Sequence, residues 1–382
     1  MRVLVVMPGL DADGGAEQSL AALLPRLVDA GHAVHLAVLS DRQALVPGFE
    51  RAGAVVHDLS SAGGTVGRTR ALRDVVGAVR PDVLHATLYD AAVPAQLVGR
   101  WTGVPVLVTW AVTLYDEGHF AESGVPPAKL RAAQTVEATL ARLAGTRFHA
   151  VTQGVARVNR ATLRVPADRV RVAERGRPEP ACTAADLVPR PDGLPADGRL
   201  VLAVGRQEPQ KGYTELVAAF DRLADRLPDV HLAVAGREGN DTPRLQAAQR
   251  ALCHGDRVHL LGQRSDVPEL LASADVVVCS SRREGAAGAL IETMAAGVPI
   301  VTVALDGLEG VVVDGRNGLV VAREDLAEGL AQVLGDPALS ARLGAGGRSF
   351  FEEHYSLDAA AERLAATYAW ASVPRGNAVA RP

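Results

Sequence analysis

Aromatic residues, cysteines and long apolar runs are all scarce in this sequence, and each scarcity narrows the classes of protein it can encode. Aromatic residues make up only 4% of the 382 residues, so a large core must be built mainly from Val, Leu, Ile and Ala. That material is typical of parallel sheets covered by helices. At about 100–200 residues per domain, a chain of this length is expected to form two domains.

The few cysteines and the lack of a long apolar run also bear on location. Cys182, Cys253 and Cys279 have no metal-ligand spacing, and an unpatterned odd set favours free thiols in a reducing cytoplasm. Met1–Met7 is too short for a secretion signal and predicts a buried strand. No run reaches the roughly 20 residues that span a bilayer, which predicts no transmembrane segment but leaves a peripheral membrane contact open. The net charge of −4 argues against general attraction for nucleic acid.

Short apolar runs alternate with helical patterns along the chain. In the first half, apolar spacing of Leu20, Leu23, Leu24, Leu27 and Val28 predicts a helix that Gly31 closes. The predicted strands around it are Val3–Met7, Ala33–Leu39, Asp82–Ala86, Val104–Trp110, Arg147–Val151 and Arg169–Ala173. This order predicts a parallel, doubly wound sheet.

A second series of the same kind follows a stretch with five prolines between Gly176 and Gly198. Its predicted elements are Leu200–Val204, Thr214–Arg226, Val230–Ala235, Pro243–Leu252, Val258–Leu260, Asp275–Cys279, Ala289–Ala296 and Pro299–Val303. We therefore predict a Rossmann-like domain over residues 1–175, a Pro-rich linker over 176–198, a second Rossmann-like domain over 199–355, and a C-terminal helix and tail over 356–382. Open sheets of this type bind ligands at the carboxyl ends of their strands, so a cleft between facing domains is the expected site.

The strongest motif is Glu284–Glu292, which follows a strand and opens a helix. Its two glycines let the backbone approach a ligand, and the free N–H groups of the helix start suit a phosphate. Glu292, one turn into the helix, could accept from ribose hydroxyls, and Glu284 from hydroxyls of a sugar. Spacing alone does not separate this function from a surface loop with two solvated glutamates.

The stretch resembles the E-x7-E signature of retaining GT-B glycosyltransferases, in particular glycosyltransferase family 4. The resemblance includes the flanking Ser280-Ser281 before Glu284-Gly285, and Met294–Pro299 after Glu292. It implies two Rossmann-like domains facing across a cleft, with the acceptor on the N-terminal side and a nucleotide-sugar donor held by the C-terminal domain.

A second cluster, Gly205–Gly212, directly follows a predicted strand. Its arginine and lysine could grip a diphosphate and offset the charge that grows as the glycosidic bond breaks, although exposed cations in loops are common. The cluster is similar to the family loop whose Arg and Lys contact the donor diphosphate, which gives these roles to Arg206 and Lys211. The loop around Gln263 and Arg264 resembles one near the nucleotide base, where Asp266 is expected to cap the next helix.

The N-terminal half offers weaker signals. Gly14-Gly15, which resembles the family's G-G-x-E loop, is also explained by a tight turn. The nearby Asp11-Ala12-Asp13 resembles the metal-binding D-x-D of another glycosyltransferase fold but lies in the first βα loop, so we predict no obligatory divalent metal. His85 ends a strand, where it is either structural or cleft-facing. Arg175-Gly176-Arg177 stands in place of the family's P-N-G and either meets an anionic acceptor or is solvated.

The resemblance implies a retaining hexosyltransferase whose departing phosphate takes the acceptor's proton, with UDP as the default nucleotide and a bacterial source indicated by composition. The predicted catalytic residues are Arg206, Lys211 and Glu284. The predicted donor-binding residues are Gly15, Arg206, Lys211, Arg264, Glu284, Gly285, Ala286, Ala287, Gly288, Ala289, Leu290 and Glu292. The predicted acceptor-side residues are Gly14 and His85.

Three other functions stay open at this point. One is a nucleotide-sugar epimerase or phosphorylase on the same fold, and another is a non-catalytic nucleotide-sugar sensor. A glycoside hydrolase could use Glu284 and Glu292 as its carboxylate pair if they stood about 5–9.5 Å apart. A nicotinamide oxidoreductase is disfavoured because no G-x-G-x-x-G follows a strand. The acceptor, the linkage formed and the oligomeric state are not predicted.

Overall fold

The chain divides into two compact units, each built on its own sheet. The structure is a computed structural model, and it describes residues 1–10, 15–115, 120, 125–186, 188–284, 287–305 and 308–373. The first unit consists of Met1–Gly176 together with the segment from Leu357 onward, and the second is Arg177–Ser356. All strand pairs within both sheets are parallel, which confirms the predicted α/β class with two Rossmann-like domains.

The first unit contains a seven-stranded sheet. Its strands are β1 Arg2–Met7, β2 Ala33–Val38, β3 Val55–Asp58, β4 Val83–Thr87, β5 Val106–Trp110, β6 Arg147–Ala150 and β7 Val170–Val172. They lie side by side in the order β3-β2-β1-β4-β5-β6-β7. The direction of chain progression therefore reverses between β1 and β4, which are hydrogen-bonded neighbours.

Helices flank this sheet. They are α1 Gly15–Asp29, α2 Val46–Arg51, α3 Gly64–Val79, α4 Tyr89–Thr102, α5 Pro127–Leu143, α6 Gln153–Leu163 and, from the end of the chain, α13 Leu357–Ser372. Gly31 takes a left-handed φ of 81° after α1, as predicted for the residue that closes this helix. Leu364 and Tyr368 of α13 are buried in the same core cluster as Val3, Leu24 and Leu36.

The second unit contains a six-stranded sheet. Its strands are β8 Arg199–Val204, β9 Val230–Ala235, β10 Val258–Gly262, β11 Val276–Cys279, β12 Ile300–Val303 and β13 Leu319–Val321. They are arranged β10-β9-β8-β11-β12-β13. The central strands read as continuous apolar runs because both faces of the sheet are covered, and every residue of β11 is buried.

The helices of the second unit form two layers over this sheet. They are α7 Tyr213–Arg226, α8 Thr242–Ala251, α9 Val267–Ala272, α10 Gly288–Ala296, α11 Leu326–Gly335 and α12 Pro337–His354. One core cluster joins the sheet to Phe220 and Leu330, and another joins it to Met294 and Phe351. The sheet reverses its order between β8 and β11, and the loops after those two strands are where ligands bind in such folds.

The structure groups two segments differently from the predicted domain boundaries. The Pro-rich stretch 176–198 falls almost entirely in the second unit, where Arg190 bonds the Pro195 carbonyl and the Asp275 carboxylate. The C-terminal helix falls in the first unit because its apolar face completes that core. Within the described residues, no helix combines the length and the hydropathy required to cross a membrane.

Candidate functional site

The two strongest sequence motifs lie on the loops after β8 and β11, at the point where the second sheet reverses its order. Gly205–Lys211 follows β8, and Ser280–Glu284 follows β11. The two strands are hydrogen-bonded neighbours, so their carboxyl-end loops lie side by side. The fold thus brings together segments about 75 residues apart in the chain, at the place where open α/β sheets bind ligands.

Lys211 and Glu284 form the centre of this site. The Lys211 Nζ donates to Glu284 Oε1 at 2.6 Å, and the Ser281 hydroxyl donates to the same oxygen at 2.5 Å. Both charged side chains are mostly buried, at 18% and 12% exposed, so their attraction is screened less than that of a surface pair. Lys211 and Glu284, predicted separately as catalytic residues, are therefore ion-pair partners.

The loops that carry this pair are braced against each other. Gly212 has a left-handed φ of 65°, and a Cβ there would lie 2.4 Å from the Ser280 carbonyl oxygen, so only glycine fits. The Ser280 hydroxyl donates to the Lys211 carbonyl at 2.8 Å. Arg323 donates to the carbonyls of Ser280 and Ser281 at 2.7 and 2.9 Å. This bracing fixes Lys211 and Glu284 before any ligand arrives, as catalytic groups require.

The amino end of α10 forms another side of the site. Ala287 has a left-handed φ of 46° and Gly288 begins the helix, so unpaired N–H groups and the positive end of the helix dipole lie here. One pocket is lined by Lys211, Glu284 and four consecutive residues of this turn, Ala287–Leu290. The structure therefore brings these predicted donor-binding residues together, whereas Gly285 and Ala286 lie outside the described residues.

Glu292 lies one turn further along α10 and is paired with Arg177. The Arg177 Nε donates to Glu292 Oε1 at 3.0 Å. The Glu292 side chain stays 39% exposed, so a ligand can still reach the carboxylate. From the sequence, Arg177 either meets an anionic acceptor or is solvated. Its side chain is only 10% exposed, so the solvated alternative is wrong, and the structure makes it a neighbour of a predicted donor-binding residue.

Arg206 differs from Lys211 in having an exposed side chain. Among the residues that the structure describes, it has no side-chain hydrogen-bond or ion-pair partner. Its neighbour Gln207 is buried and anchors the loop, because its amide accepts from the Thr242 hydroxyl at 2.8 Å and its Nε2 donates to the Gly236 carbonyl. Arg206 is thus a mobile cation on a fixed loop, which is a suitable arrangement for gripping an arriving anion.

Arg264 is occupied locally. Its guanidinium makes a two-point contact with the Asp266 carboxylate, and Nη1 donates to the Asp192 carbonyl at 3.3 Å. The bonds from Arg264 lower the pKa of Asp266. Asp266 stands at the N-cap position of α9 but makes no side-chain capping bond, so the predicted capping role is wrong, because Arg264 takes both carboxylate oxygens. The role of Arg264 near a nucleotide base stays a prediction.

In the first unit, His85 belongs to a buried chain of hydrogen bonds. The His149 Nε2 donates to the Ala173 carbonyl at 2.6 Å, so its Nδ1 accepts from the Thr109 hydroxyl. Thr109 in turn accepts from His85 Nε2 at 2.6 Å, and the Tyr368 hydroxyl donates to His85 Nδ1 at 2.9 Å. Side chains of the same unit engage both ring nitrogens of His85, which fits the structural role rather than the cleft-facing one. Its acceptor-side role stays a prediction.

Burial lowers the pKa of both histidines in this chain. The pKa of His85 lies well below its ordinary value because of burial and, secondarily, the neighbouring His149 and Arg175. Burial lowers the pKa of His149 to about 4. Both rings are therefore neutral at neutral pH, as their single-donor hydrogen bonding requires. Gly15 opens α1, while Gly14, Asp11 and Asp13 lie outside the described residues.

A larger pocket, of about 1100 Å³, lies in the first unit at the amino ends of its strands. Met1, Asp82, Val106 and Arg147 line it. Because open α/β sheets bind their ligands at the opposite edge, we place the candidate site at the pocket of Lys211 and Glu284 instead.

Comparison with known proteins follows the same division of the chain. A model of the glycosyl transferase 4-like domain matches residues 14–176, and a model of glycosyl transferases group 1 matches residues 187–350. A D-inositol 3-phosphate glycosyltransferase of Xylanimonas cellulosilytica is 30% identical over 311 residues, which are 77% of this chain and 73% of that protein. The chain belongs to the group 1 glycosyltransferases. Within this family it is of the family 4 type, with the GT-B fold.

Another relative of this group 1 glycosyltransferase matches over a shorter stretch. The phosphatidyl-myo-inositol mannosyltransferase of Mycolicibacterium smegmatis is 39% identical over 148 residues, which span only 37% of that protein's length. Among solved structures, HepE of Anabaena in complex with UDP has a TM-score of 0.78 at 18% identity and covers 97% of this chain and 100% of its own. A glycosyltransferase from Rickettsia africae has a TM-score of 0.77 at 17% identity, with 97% and 98% covered. These structural likenesses show the fold.

Several contributors to the site were missed by sequence reasoning. Ser281 and Arg323 hold Glu284 and its loop, and Tyr213, buried beside Gly205, lines the pocket. Ser281 had a signal in the family context before Glu284. Arg323 had none, because it follows a strand that is too short to recognise.

Proposed function

We propose that this chain transfers a hexose-type sugar from a UDP-sugar to an acceptor, with retention of anomeric configuration. The observation that carries the proposal is the Lys211–Glu284 pair beside the amino end of α10. One pocket contains a cation, a carboxylate and the start of a helix. The cation and the helix start suit the negatively charged diphosphate of a nucleotide-sugar, and the carboxylate suits its sugar hydroxyls. UDP in the structure of the Anabaena neighbour supports the choice of base.

In this proposal Lys211, Arg206 and the N–H groups of α10 stabilise the diphosphate as it leaves. The acceptor hydroxyl attacks the anomeric carbon on the same face from which the diphosphate departs, and an oxygen of the departing diphosphate takes the hydroxyl proton. Glu284 holds the transferred sugar by its hydroxyls, and Glu292 holds the ribose. Charge stabilisation of this kind typically contributes about 3–4 kcal/mol of barrier lowering for each donor.

The glycoside hydrolase alternative is less well supported. Glu284 is paired with Lys211, and Glu292 with Arg177. A hydrolase needs two carboxylates that flank the bond, one of them as a proton donor. Two carboxylates that are each bonded to a cation fit the binding of sugar and ribose better than acid–base cleavage.

Incubation with UDP-glucose, UDP-galactose, UDP-N-acetylglucosamine and GDP-mannose tests the proposal directly. We expect one donor to release free nucleoside diphosphate when an extract of candidate acceptors is added, and NMR of the purified product to show the donor's own anomeric configuration. An inverted product would remove the retaining mechanism. A ligand at a hundred times its Kd adds about 2.7 kcal/mol to the free energy of unfolding. If the melting temperature did not rise with any of these donors, nor with UDP or GDP, the whole proposal would be contradicted.

We further propose that no divalent metal is required. Lys211, Arg206 and the helix start supply positive charge where a metal ion would otherwise balance the diphosphate. Turnover is therefore expected to persist when EDTA is added in excess over any divalent metal. Loss of turnover in EDTA with recovery on adding Mg²⁺ or Mn²⁺ would show the opposite. The cytoplasmic location likewise stays a proposal, supported by three cysteines that are all free.

A further inference from the structure

Arg177, the first residue of the second unit, extends to the amino end of α10. Its backbone N–H donates to the Tyr355 carbonyl at 2.9 Å, which fixes the start of the side chain. Its Nε donates to Glu292 Oε1 at 3.0 Å, and the arginine side chain is only 10% exposed. The guanidinium is therefore mostly buried and bonded to Glu292.

Gly288 shows how closely the guanidinium approaches the helix. A Cβ at this position would lie 2.4 Å from the Arg177 Nη2, closer than side-chain atoms come to one another. Gly288 and Glu292 are four residues apart, so they lie on the same face of α10. Arg177 lies along that face, and the absence of a side chain at Gly288 makes room for it.

This position is electrostatically unfavourable for a cation without a partner. The amino end of a helix carries a partial positive charge, which repels a guanidinium. Glu292 compensates this repulsion, and the pair leaves the carboxylate accessible at 39% exposure.

We propose that Arg177 is a positioning residue that holds the Glu292 carboxylate for the ribose hydroxyls of the donor. This inference rests on the proposed function, because it assigns a purpose to the same nucleotide site. A glutamate side chain on a helix has several rotamers, and fixing it on ligand binding costs free energy. Arg177 fixes one carboxylate oxygen beforehand, so the ribose meets an acceptor that is already oriented.

The test is a comparison of UDP with 2′,3′-dideoxy-UDP, which lacks both hydroxyls that Glu292 is expected to bind. Dissociation constants are measured by calorimetry for the wild type, Arg177→Ala, Arg177→Lys, Glu292→Ala and the double alanine variant. Arg226→Ala, which breaks an exposed ion pair with Glu328 at the far end of α7, is the matched control. GDP and its dideoxy form are used if the donor screen selects guanine.

We expect the wild type and the control to bind UDP about ten- to hundredfold more tightly than the dideoxy form, the range for hydrogen bonds to a charged group. Arg177→Ala should reduce this preference to less than about threefold, close to that of Glu292→Ala, and the double variant should reduce it no further. Arg177→Lys should restore part of the preference, because an ammonium can pair with Glu292 but lacks the planar fork.

Two results would overturn the inference, and they are distinguishable. If Arg177→Ala weakens both nucleotides equally while Glu292→Ala abolishes the preference, Arg177 has a structural role only and the proposed function stands. If the wild type binds neither UDP nor GDP, or Glu292→Ala leaves the preference unchanged, the assignment of Glu292 to ribose fails and takes the role of Arg177 with it.

Discussion

Lys211 and Arg206 are two cations on one loop that are held in different ways. Lys211 is mostly buried and paired with Glu284, so a diphosphate must share or replace an existing ion pair. Arg206 is exposed, and the described part of the chain gives its side chain no partner. Lys211 is therefore a fixed charge in the pocket lining, and we expect the Arg206 side chain to become ordered only when a donor binds.

Replacing Arg206 by alanine is expected to lower turnover without changing the stability of the fold. Because the side chain is exposed, we expect the melting temperature to change by less than the equivalent of about 0.5 kcal/mol. Turnover should fall by about 10²-fold or more, the usual loss when one charge-stabilising donor is removed. Differential scanning fluorimetry and a diphosphate-release assay measure the two quantities, with Arg222→Ala on the outer face of α7 as the control. Near wild-type turnover in Arg206→Ala would remove this arginine from the mechanism.

The buried histidines of the first unit predict a dependence of stability on pH. The pKa of His149 falls from 6.5 to about 4 on folding, so the folded state binds fewer protons than the unfolded state between those values. The stabilisation is complete above pH 6.5 and is lost as the pH falls toward 4. His149 alone accounts for about 3 kcal/mol over this range, at 1.36 kcal/mol per pKa unit. His85 acts in the same direction.

Comparison with His149→Gln isolates that contribution. Glu137, whose pKa burial raises, acts in the opposite direction because the folded state takes up its proton on acidification. It is unchanged in the variant, so the difference between the two proteins reports His149 together with its effect on the pKa of His85. The free energy of unfolding of the first unit is measured by urea denaturation, with hydrogen exchange of its amides as the probe. Between pH 6.5 and 4.5 this free energy should fall more steeply in the wild type than in the variant. Parallel pH profiles for the two proteins would contradict the assignment.

At the level of single residues, the sequence could single out candidate binding side chains but not their partners within the chain. Lys211 and Glu284 were both identifiable from their motifs, yet their pairing depends on β8 and β11 being adjacent in the sheet. Arg177 was visible as an anomaly in the linker, and its bond to Glu292 spans 115 residues. Such contacts depend on tertiary packing, which local spacing does not encode.

At the level of elements, the apolar runs located every interior strand of the two sheets and missed two of the four edge strands. β9 was predicted with its observed bounds, and β8, β11 and β12 to within one residue. β3 lies at a sheet edge with none of its residues buried, so its pattern is weak. β13 has three half-buried residues, too few to show a period. β3 and β13 are partly solvated, so the continuous apolar signal of a buried parallel strand is absent from these two.

The first turn of α10 predicts that Gly288→Ala affects binding more than folding. Alanine is the better helix former, by up to about 1 kcal/mol, so the helix itself should not lose stability. The new methyl group would displace the Arg177 guanidinium, whose Nη2 lies 2.4 Å from the Cβ position. We expect UDP affinity to fall about tenfold, as for one lost hydrogen bond to a charged group.

Gly77→Ala is the matched control for that substitution. Gly77 lies inside α3, where a Cβ would meet no atom within 4 Å, so alanine should stabilise the first unit without altering UDP binding. Isothermal calorimetry measures the affinities of both variants. Wild-type affinity for UDP in Gly288→Ala would show that the position of Arg177 does not matter to the nucleotide.

For the whole molecule, the end of the chain matters as much to the first unit as its beginning does. α13 places Leu364 and Tyr368 in the core formed by β1, β2 and α1. Tyr368 also donates to His85, and Arg147 donates to the Ala371 carbonyl at 2.7 Å. The sequence predicted a closing helix after Ser356 but not the unit to which it belongs. Its apolar spacing indicates that one face of the helix is buried, but not which sheet buries it.

A chain that ends at Ser356 should therefore lose the first unit and keep the second. Removing several buried side chains, each worth about 2–5 kcal/mol on truncation, exceeds the stability of an ordinary domain. Calorimetry of the full chain should resolve the two units, with UDP raising the transition of the second. In the truncated chain the UDP-sensitive transition should persist at its original temperature while the other disappears. A chain that ends at Val373 retains α13 and should behave as the full chain does. If truncation at Ser356 abolished UDP binding as well, residues of the second unit would not suffice to hold UDP, and the first unit, which contains the predicted donor-binding residue Gly15, would be required.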